Sequence, residues 1–277
     1  MTPRILIIAG SDSGGGAGIQ ADIKTVTMLQ GHAMTAITAL TAQNTLGVTG
    51  VMPVPAEFVV EQMDAVISDI GVDAVKIGMI GSPETVHAVA DRLDPLAVPI
   101  VFDPVMVATS GSILAGEATI TAFERLMKVS TLVTPNSPEL AALTGLEVDS
   151  LDALEAAARE LAARTGAAIL AKGGHLAGEM LTDLLVTPGG HVKRWDSPRI
   201  DSQHTHGTGC TLASGIATAL AAGEPLERAV TQARRFVRLA LLDAPGLGQG
   251  HGPMGHHRVR LDLAAGRPTL NPDHSPG

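Results

Sequence analysis

Aromatic side chains are scarce in this chain, which has four Phe, one Trp and no Tyr among 277 residues. So few rings cannot form a platform on which nucleobases stack. Basic residues are also in the minority, because 19 Lys and Arg face 28 Asp and Glu, and the formal net charge is −9. Proteins that bind nucleic acid need a basic face, so this balance argues against nucleic-acid partners and favours small molecules.

Cysteine and long apolar runs are nearly absent as well. The single Cys excludes a disulfide framework within the chain and a metal site built from several thiolates. No apolar segment reaches the roughly 18–20 residues of a membrane span. The run Ile5–Ala9 near the start is too short for the hydrophobic part of a signal peptide. We therefore expect a cytoplasmic protein that has no membrane partner.

The apolar residues that are present form continuous runs, typical of strands covered on both faces, and these runs alternate with helical segments. Strands are predicted at Arg4–Ala9, Met34–Leu40, Asp73–Ile77, Pro99–Phe102, Thr131–Val133, Ala167–Ala171 and Leu181–Val186. A short hairpin arm is predicted around Val192–Ile200. Helices are predicted at Ala17–Leu29, Glu57–Ser68, Pro83–Leu93, Leu151–Arg164, Cys210–Ala222 and Leu226–Leu242.

This alternation predicts an α/β fold, a sandwich in which helices flank a largely parallel central sheet. We expect a single domain over residues 1–260. Gly, Pro and His are frequent near the carboxyl terminus, so residues 261–277 are expected to form a flexible tail. In sheets of this type ligands bind at the carboxyl ends of the strands. The candidate functional residues fall at those ends.

The first candidate site is the glycine-rich segment 10–18, which lies between the first predicted strand and the first predicted helix. Glycines let backbone N–H groups approach a ligand closely. The segment is too long for the dinucleotide fingerprint GxGxxG, and it lacks the Gly-Lys-Ser/Thr of a P-loop. A flexible turn between strand and helix is the alternative interpretation.

The second candidate site is the segment 206–211, His-Gly-Thr-Gly-Cys-Thr, which leads into an apolar helix. N–H groups at a helix N-terminus form an anion site suited to the charge that develops during phosphoryl transfer. Cys210 falls in the first turn, where we expect the positive helix end to lower the pKa of its thiol. A thiolate there would accept a proton from a substrate hydroxyl. An inert, packed cysteine is the alternative, and the flanking glycines favour function.

Acidic and amide side chains follow two further predicted strands. Asn136 and Glu139 stand three residues apart at a helix start, where two oxygens can face one Mg²⁺ through water. Asp103 ends another strand and would add a carboxylate at the same edge. The alternative is a plain helix N-cap, in which Asn136 and Glu139 form a capping box.

Two more strand ends carry a single polar candidate each. Lys172 precedes two glycines and would meet a phosphate, and a surface lysine in a turn is the alternative. Gln43 has a side-chain amide that offers an acceptor and donors. This combination matches an aminopyrimidine, in which an exocyclic amine lies beside a ring nitrogen. A glutamine that only holds its own loop is the alternative.

Together these segments resemble the hydroxymethylpyrimidine/phosphomethylpyrimidine kinases of thiamine biosynthesis, a family of the ribokinase-like superfamily. The resemblance covers about residues 4–257 and rests on segments 14–25 (GGGAGIQADIKT), 38–45 (TALTAQNT), 76–79 (KIGM), 172–175 (KGGH) and 204–211 (HTHGTGCT). Cys210 is the most specific element, because sugar kinases of this superfamily carry Asp there. Members of the family commonly have Pro where this chain has Ser13, so we expect a more mobile first loop.

The resemblance implies a ribokinase-like three-layer sandwich and a role for each candidate residue. Cys210 would be the catalytic base, within an anion hole formed by Gly207, Thr208 and Gly209. ATP would lie near Lys172, Asn136 and Thr208. Mg²⁺ would lie near Glu139, Asn136 and Asp103. The pyrimidine would contact Gln43, Asp22, Gly10, Ala17, Met79 and Val105.

The implied activity is that of an ATP- and Mg²⁺-dependent kinase. It would phosphorylate the hydroxymethyl group of 4-amino-5-hydroxymethyl-2-methylpyrimidine and then convert the monophosphate into the pyrophosphate. The resemblance also suggests a homodimer, and we expect the chain to perform the kinase steps alone. Two alternatives stay open, a pyridoxal-type kinase and a non-catalytic pyrimidine-binding regulator. The intact Cys210 and its glycine turn count against the regulator.

Overall fold

The computed structural model describes residues 1–108, 111–262 and 264–270. Its strands are β1 (Arg4–Asp12), β2 (His32–Gln43), β3 (Val48–Pro53), β4 (Ala74–Ile77), β5 (Ile100–Phe102), β6 (Leu132–Val133), β7 (Ala168–Lys172), β8 (Met180–Val186), β9 (Val192–Pro198), β10 (Val259–Asp262) and β11 (Arg267–Leu270). Its α-helices are α1 (Gly18–Met28), α2 (Ala56–Asp69), α3 (Pro83–Leu93), α4 (Glu117–Val129), α5 (Ser137–Thr144), α6 (Leu151–Thr165), α7 (Thr208–Ala221) and α8 (Leu226–Leu242).

The first nine strands form one sheet in the order β3-β2-β1-β4-β5-β6-β7-β8-β9. Its centre, from β2 to β7, is parallel, while β3 at one end and β8 and β9 at the other are antiparallel. The predicted largely parallel sheet is therefore confirmed. The hairpin arm predicted around 192–200 is β9, which continues this sheet as an edge strand.

Alternate residues of β1 face two separate apolar cores. Leu6 and Ile8 pack on the face covered by α2 to α6, whereas Ile5 and Ile7 pack on the face covered by α1, α7 and α8. None of these four side chains has accessible surface. A strand buried on both faces has no polar side to show, which explains its continuous apolar sequence. The predicted three-layer arrangement is confirmed by these two cores.

Three elements of the sandwich were not predicted from the sequence. Strand β3 is almost entirely exposed, so it lacks the buried apolar run that marks the central strands. Helix α5 has only eight residues, and its start was interpreted as a possible metal site. Helix α4 does carry an apolar stripe with helical spacing, in which Phe123, Leu126 and Met127 are buried. This stripe was a usable signal that the prediction overlooked.

The structure describes part of the segment for which a flexible tail is predicted. Strands β10 (Val259–Asp262) and β11 (Arg267–Leu270) form an antiparallel pair. Two side chains of α8 hold it, because Arg235 Nε donates to the Pro268 carbonyl at 2.6 Å and Gln232 Nε2 donates to the Gly266 carbonyl at 3.2 Å. The rest of the predicted tail, residues 271–277, lies outside the described residues. Among the helices that the structure describes, none is long and apolar enough to cross a membrane.

Candidate active site

Two glycine-rich loops meet at the edge of the sheet where the parallel strands end, which we call the carboxyl edge. The first loop precedes α1 and the second precedes α7. Gly207 has φ of 83°, and a Cβ on it would collide with the carbonyl oxygen of Gly16. The second loop therefore requires glycine at this position, both for its backbone conformation and for the close approach of the first loop.

The first loop is wrapped around the carboxylate of Asp12. The backbone N–H groups of Gly14, Gly16 and Ala17 donate to Asp12 at 2.8–3.0 Å. His206 of the second loop lies with Nε2 at 2.9 Å from Asp12 Oδ2. Burial alone would raise the pKa of Asp12, but these hydrogen bonds outweigh it and lower that pKa. An ionised Asp12 thus joins the two loops.

Ser13 ties the same loop to Gln43, although its replacement of Pro suggested a more mobile segment. The Ser13 hydroxyl donates to the Gln43 carbonyl and accepts from the Gln43 N–H, both at 2.8 Å. The Gln43 side chain is held too, because Oε1 accepts from Thr41 Oγ1 at 3.1 Å. Gln43 therefore stands at the carboxyl edge with its amide already oriented.

Cys210 lies in the first turn of α7, and its thiol does not have the lowered pKa that the sequence suggested. Burial raises the pKa of Cys210 to about 11. The positive charge of Lys76 and a hydrogen bond from the Gly18 backbone act in the opposite direction, while Asp22 and Asp103 add to the increase. The prediction was wrong because removal from water and two nearby carboxylates outweigh the helix terminus.

Asp22, which the resemblance places among the contacts of the pyrimidine, lies in a fully buried environment. Its carboxylate has no accessible surface and pairs with Lys76 Nζ at 2.7 Å, which is equally buried. The Ser214 hydroxyl of α7 donates to its other oxygen at 2.6 Å. In this arrangement Asp22 is half of a sealed ion pair, and its place near the polar edge of the pyrimidine stays a prediction.

A second ion pair, between Asp103 and Lys172, lies on the other side of the start of α7. Lys172 Nζ is 2.9 Å from Asp103 Oδ1 and 4.0 Å from Glu139 Oε2. A Cβ on Gly209 would lie 3.1 Å from Asp103 and 3.4 Å from Lys172 Nζ. The structure thus brings four of the sequence candidates, from three different strand ends and the second loop, into one cluster.

Asn136 and Glu139 form the capping box that was the alternative to a metal site. Glu139 N–H donates to Asn136 Oδ1, and Asn136 N–H donates to Glu139 Oε2, both at 2.8 Å. Burial, together with the charge of Asp103, raises the pKa of Glu139 to about 7, against the opposing charge of Lys172. Both side chains are therefore engaged in holding the start of α5.

The carboxylates of Asp103 and Glu139 could hold Mg²⁺ only together with ligands from water and phosphate. In the described residues no group of three or more His, Cys, Asp and Glu side chains is placed to hold a metal ion. Asp103 and Glu139 nevertheless share one ammonium, that of Lys172, at 2.9 Å and 4.0 Å. Mg²⁺ usually takes one or two carboxylates and completes its shell with water and phosphate oxygens. Two carboxylates are sufficient for that role.

The predicted ring contacts are spread around the first loop. Met79 lines a cavity of about 300 Å³, which lies between β2, β3 and the segment after β4. Gly10 lies beside it, since a Cβ there would be 3.1 Å from Met79 Sδ. Ala17 donates its N–H to Asp12, and Val105 donates its own to the Asp103 carbonyl at 2.8 Å. Among these four, Met79 alone lines that cavity.

Sequence reasoning missed Asp12, His206, Lys76 and Ser214 as residues of the site. Lys76 gave a signal, because it is a single charge within the apolar strand β4, and such a residue is almost never buried without a partner. Asp12 and His206 lie within or beside the glycine-rich segments, which were interpreted from their glycines alone. Ser214 gave no signal, because a serine in an apolar helix is common.

Comparison with known proteins agrees with this arrangement. The sequence model of the phosphomethylpyrimidine kinase family matches residues 12–255. The hydroxymethylpyrimidine/phosphomethylpyrimidine kinase of Rhizobium meliloti is 49% identical over 93% of this chain and 98% of its own length. The thiamine biosynthesis bifunctional protein ThiED of Geobacter sulfurreducens is also 49% identical over 94% of this chain. This chain spans only 53% of that longer relative.

Solved structures give the same superfamily. The phosphomethylpyrimidine kinase of Clostridium difficile 630 has a TM-score of 0.76 at 35% identity, with 87% of this chain and 99% of that chain covered. The pyridoxal kinase of Staphylococcus aureus, solved with pyridoxal, has a TM-score of 0.85 at 30% identity and covers 92% and 94%. The family model and the curated relatives decide between these names, and the chain belongs to the hydroxymethylpyrimidine/phosphomethylpyrimidine kinase family.

Proposed function

We propose that this chain transfers the γ-phosphoryl group of ATP to the hydroxymethyl group of 4-amino-5-hydroxymethyl-2-methylpyrimidine, and then phosphorylates the monophosphate to the pyrophosphate. The observation that carries the proposal is the cluster at the start of α7. There the glycine turn, the thiol of Cys210 and the Asp103–Lys172 pair lie within one small region. These are the groups that phosphoryl transfer needs, since it depends on positioning and charge stabilisation more than on covalent chemistry.

Different residues of the chain stabilise the charge on the phosphoryl group and accept the substrate proton. The backbone of Gly207, Thr208 and Gly209 surrounds the charge on the transferred group, and Lys172 adds a positive charge beside Gly209. Cys210 as thiolate takes the proton of the substrate hydroxyl onto Sγ. The substrate oxygen then forms its bond to the γ-phosphorus as the bond to the ADP oxygen breaks.

ATP and Mg²⁺ complete this proposal. The pyridoxal kinase of Staphylococcus aureus has been solved with ADP and with AMP-PCP, which supports a nucleotide in the same fold. Asp103 and Glu139 would hold Mg²⁺, and Asn136 would contribute through water near the phosphates. When bound, the ion would neutralise charge on the phosphate oxygens.

On the substrate side we propose that Gln43 recognises the aminopyrimidine. The Thr41 hydroxyl donates to its amide oxygen at 3.1 Å, so less side-chain entropy is lost when a ring binds. Gly10, Ala17, Met79 and Val105 would form the walls around the ring. Gln43→Ala is expected to raise the KM for the pyrimidine by about tenfold to hundredfold, because one or two hydrogen bonds are lost, and to leave the KM for ATP unchanged.

A pyridoxal-type kinase is the second candidate, favoured by the fold similarity to the enzyme of Staphylococcus aureus. A competition between pyridoxal and the aminopyrimidine, read as the ratio of kcat/KM values, separates the two. A non-catalytic regulator would bind the pyrimidine without consuming ATP.

We also propose a homodimer, supported by Leu40, Val51 and Met52, which are exposed apolar side chains on β2 and β3. Light scattering of the purified chain tests this state, and we place the protein in the cytoplasm.

The decisive experiment is an ATPase assay with the pyrimidine alcohol in which products are identified by mass spectrometry. A monophosphate that proceeds to a pyrophosphate supports both steps of the proposal. A monophosphate alone supports a single-step kinase, and pyridoxal would then be tested as the better substrate.

Cys210→Ala is expected to reduce kcat by about 10²–10⁴-fold while pyrimidine binding is kept, because one proton acceptor is removed. Unchanged turnover in this variant would remove Cys210 as the base.

A further inference from the structure

The sealed ion pair between Asp22 and Lys76 is the feature of the site that the proposed reaction does not use. Both side chains have no accessible surface, and their charged atoms are 2.7 Å apart. Lys76 lies in β4, where Ala74, Val75 and Ile77 are also fully buried. A buried ammonium is costly to keep, and hydrophobic residues of similar volume often stabilise a fold at least as well. Its retention in the centre of the sheet therefore calls for a purpose besides stability.

The pair is connected to the helix that carries Cys210. Ser214 stands four residues after Cys210 on α7, so the two side chains lie on the same face of the helix. The hydroxyl of Ser214 donates to Asp22 Oδ1 at 2.6 Å, and Asp22 Oδ2 in turn holds Lys76 Nζ. The Lys76 ammonium also reaches the carboxyl edge, because a Cβ on Gly78, just beyond β4, would lie 2.8 Å from Nζ.

Charges from several elements face the thiol. Lys76 from β4 lowers the pKa of Cys210, while Asp22 from α1 and Asp103 after β5 raise it. Lys172 from β7 is paired with Asp103. Burial opposes the charge on Lys76, but Asp22, Cys210 and Asp103 together raise the pKa of Lys76, so its ammonium is retained. Lys76 is thus a cation that offsets part of the effect by which burial keeps the Cys210 thiol protonated.

We propose that Lys76 is a positioning residue of the kinase reaction, whose buried ammonium, held by Asp22 and Ser214, stabilises the negative charge on Sγ in the thiolate form of Cys210. The inference rests on the proposed function, in which the thiolate accepts the substrate proton. Lys76 keeps its own proton throughout. It balances the negative Sγ before transfer, and it remains charged after Sγ has received the proton from the substrate oxygen. No other bond to Lys76 is made or broken.

The composition of the chain provides a direct readout of this inference. It has one Cys and no Tyr, so the alkaline rise in ultraviolet absorbance that marks thiolate formation arises from Cys210 alone. The Cys210→Ala variant supplies the blank. Lys76→Met is expected to move the midpoint of this titration upward by about one pH unit or more, because a cation close to the thiolate has been removed. Lys76→Arg is expected to stay close to the wild type because it keeps the charge.

Two further variants separate an electrostatic effect from a structural one. Thr25→Val alters another fully buried polar side chain of α1, whose hydroxyl donates only to the Ala21 carbonyl at 2.7 Å, and it should leave the midpoint unchanged. Asp22→Asn combined with Lys76→Met removes both charges and avoids leaving a buried carboxylate alone. If Lys76→Met does not fold, as judged by circular dichroism, the double variant is compared with Asp22→Asn alone. The midpoint of the double variant should be the higher of the two, because only that variant lacks the cation.

A wild-type midpoint in folded Lys76→Met, or equal midpoints in Asp22→Asn and the double variant, would overturn the inference. Kinetics supply the second readout: Lys76→Met should lower kcat by about tenfold and leave the KM for the pyrimidine unchanged, since thiolate is scarcer while the ring contacts persist. The two proposals fail separately. Wild-type turnover of Cys210→Ala would end the base role whatever the titration shows. An inactive Cys210→Ala with an unshifted Lys76→Met would end the role of Lys76 alone.

Discussion

Two Asp–Lys pairs flank the start of α7, and they differ chiefly in their access to solvent. Asp22 and Lys76 are 0% exposed, whereas the side chain of Lys172 is 15% exposed beside Asp103. The sealed pair is completed by Ser214 and has no room for a ligand. The open pair has Thr134 and Glu139 as further neighbours and borders Gly209, where a phosphate would lie.

The comparison teaches that the same two residue types serve different purposes according to burial. A buried pair keeps both charges only while its geometry is intact, because water cannot replace either partner. A partly exposed pair can exchange a partner, since water and ligand oxygens can reach the ammonium. We therefore expect the sealed pair to affect stability and the state of the thiol, and the open pair to affect the binding of phosphate and Mg²⁺.

The largest expected difference between the pairs is in the free energy of unfolding. Lys76→Met leaves Asp22 unpaired in the core and should reduce stability by about 3–5 kcal/mol. Lys172→Met removes an ammonium whose side chain is 15% exposed and should cost less, about 1–2 kcal/mol, because Thr134 still donates to Asp103 at 2.8 Å and water can reach this pair. Urea denaturation of both variants measures this difference. Equal losses would show that solvent access does not distinguish the pairs.

The open pair should dominate the kinetics of the nucleotide. Lys172→Met is expected to raise the KM for ATP by about tenfold to hundredfold, because one charge-assisted contact with phosphate is lost. Lys76→Met should leave the KM for ATP near its wild-type value. Steady-state kinetics at saturating pyrimidine make the comparison. A similar loss of ATP affinity in both variants would contradict separate roles for the two pairs.

The contact between His256 and Thr211 at the start of α7 involves no charge, and its effect on stability should depend on pH. Burial lowers the pKa of His256 to about 4, and its Nε2 lies 2.8 Å from Thr211 Oγ1 in the first turn of α7. This ring is neutral in the folded protein, while in the unfolded chain it takes up a proton near its ordinary pKa of about 6.5. The stability contributed by the neutral His256 ring is therefore complete above pH 6.5, and it is lost as the pH falls toward 4.

Between about pH 7 and pH 5 the protonation of His256 should remove about 2 kcal/mol of stability. The His256→Gln variant lacks this titration, so its urea midpoint should depend less on pH than that of the wild type. His257→Gln is the matched control, because the neighbouring ring is exposed. An unchanged pH dependence in His256→Gln would show that His256 is not held neutral.

The smallest expected effect compares the hydroxyl groups that donate to the two carboxylates. Ser214 donates to Asp22 at 2.6 Å, and Thr134 donates to Asp103 at 2.8 Å. Ser214→Ala should cost about 2 kcal/mol, because the freed oxygen of Asp22 has no water to replace the donor. Thr134→Val should cost about 1 kcal/mol, since Lys172 still pairs with the same carboxylate. The reverse order would contradict the distinction between sealed and open pairs.

Much of the fold could be predicted because it depends on local patterns. The strands β1, β4 and β7 are buried on both faces, and they stand out as apolar runs. Strand β3 could not be found in this way, since its side chains are exposed and its sequence has no buried face. The glycine segments and the lone cysteine marked the start of α7, and the structure brings Gly209 to Asp103 and Lys172.

The electrostatics of the site could not be predicted, because they depend on which residues are paired in three dimensions. Helix position alone suggested a lowered pKa for Cys210, whereas burial and the carboxylates of Asp22 and Asp103 raise it. Asp22 and Lys76 are 54 positions apart, and no spacing rule links them. The roles of these residues in substrate and metal binding remain predictions that the variants above test.

The contact between Gly16 and Gly207 has a consequence for the order of folding. These residues are separated by most of the chain, and six strands of the sheet, β4 to β9, lie entirely between them together with β2 and β3. Contacts of such high sequence separation form late, because the intervening loop must be closed before the contact can contribute. A nascent chain on the ribosome therefore holds the first glycine loop without its partner until the second has emerged. The glycine turn before α7 can meet the first glycine loop only after all nine strands of the sheet have been synthesised.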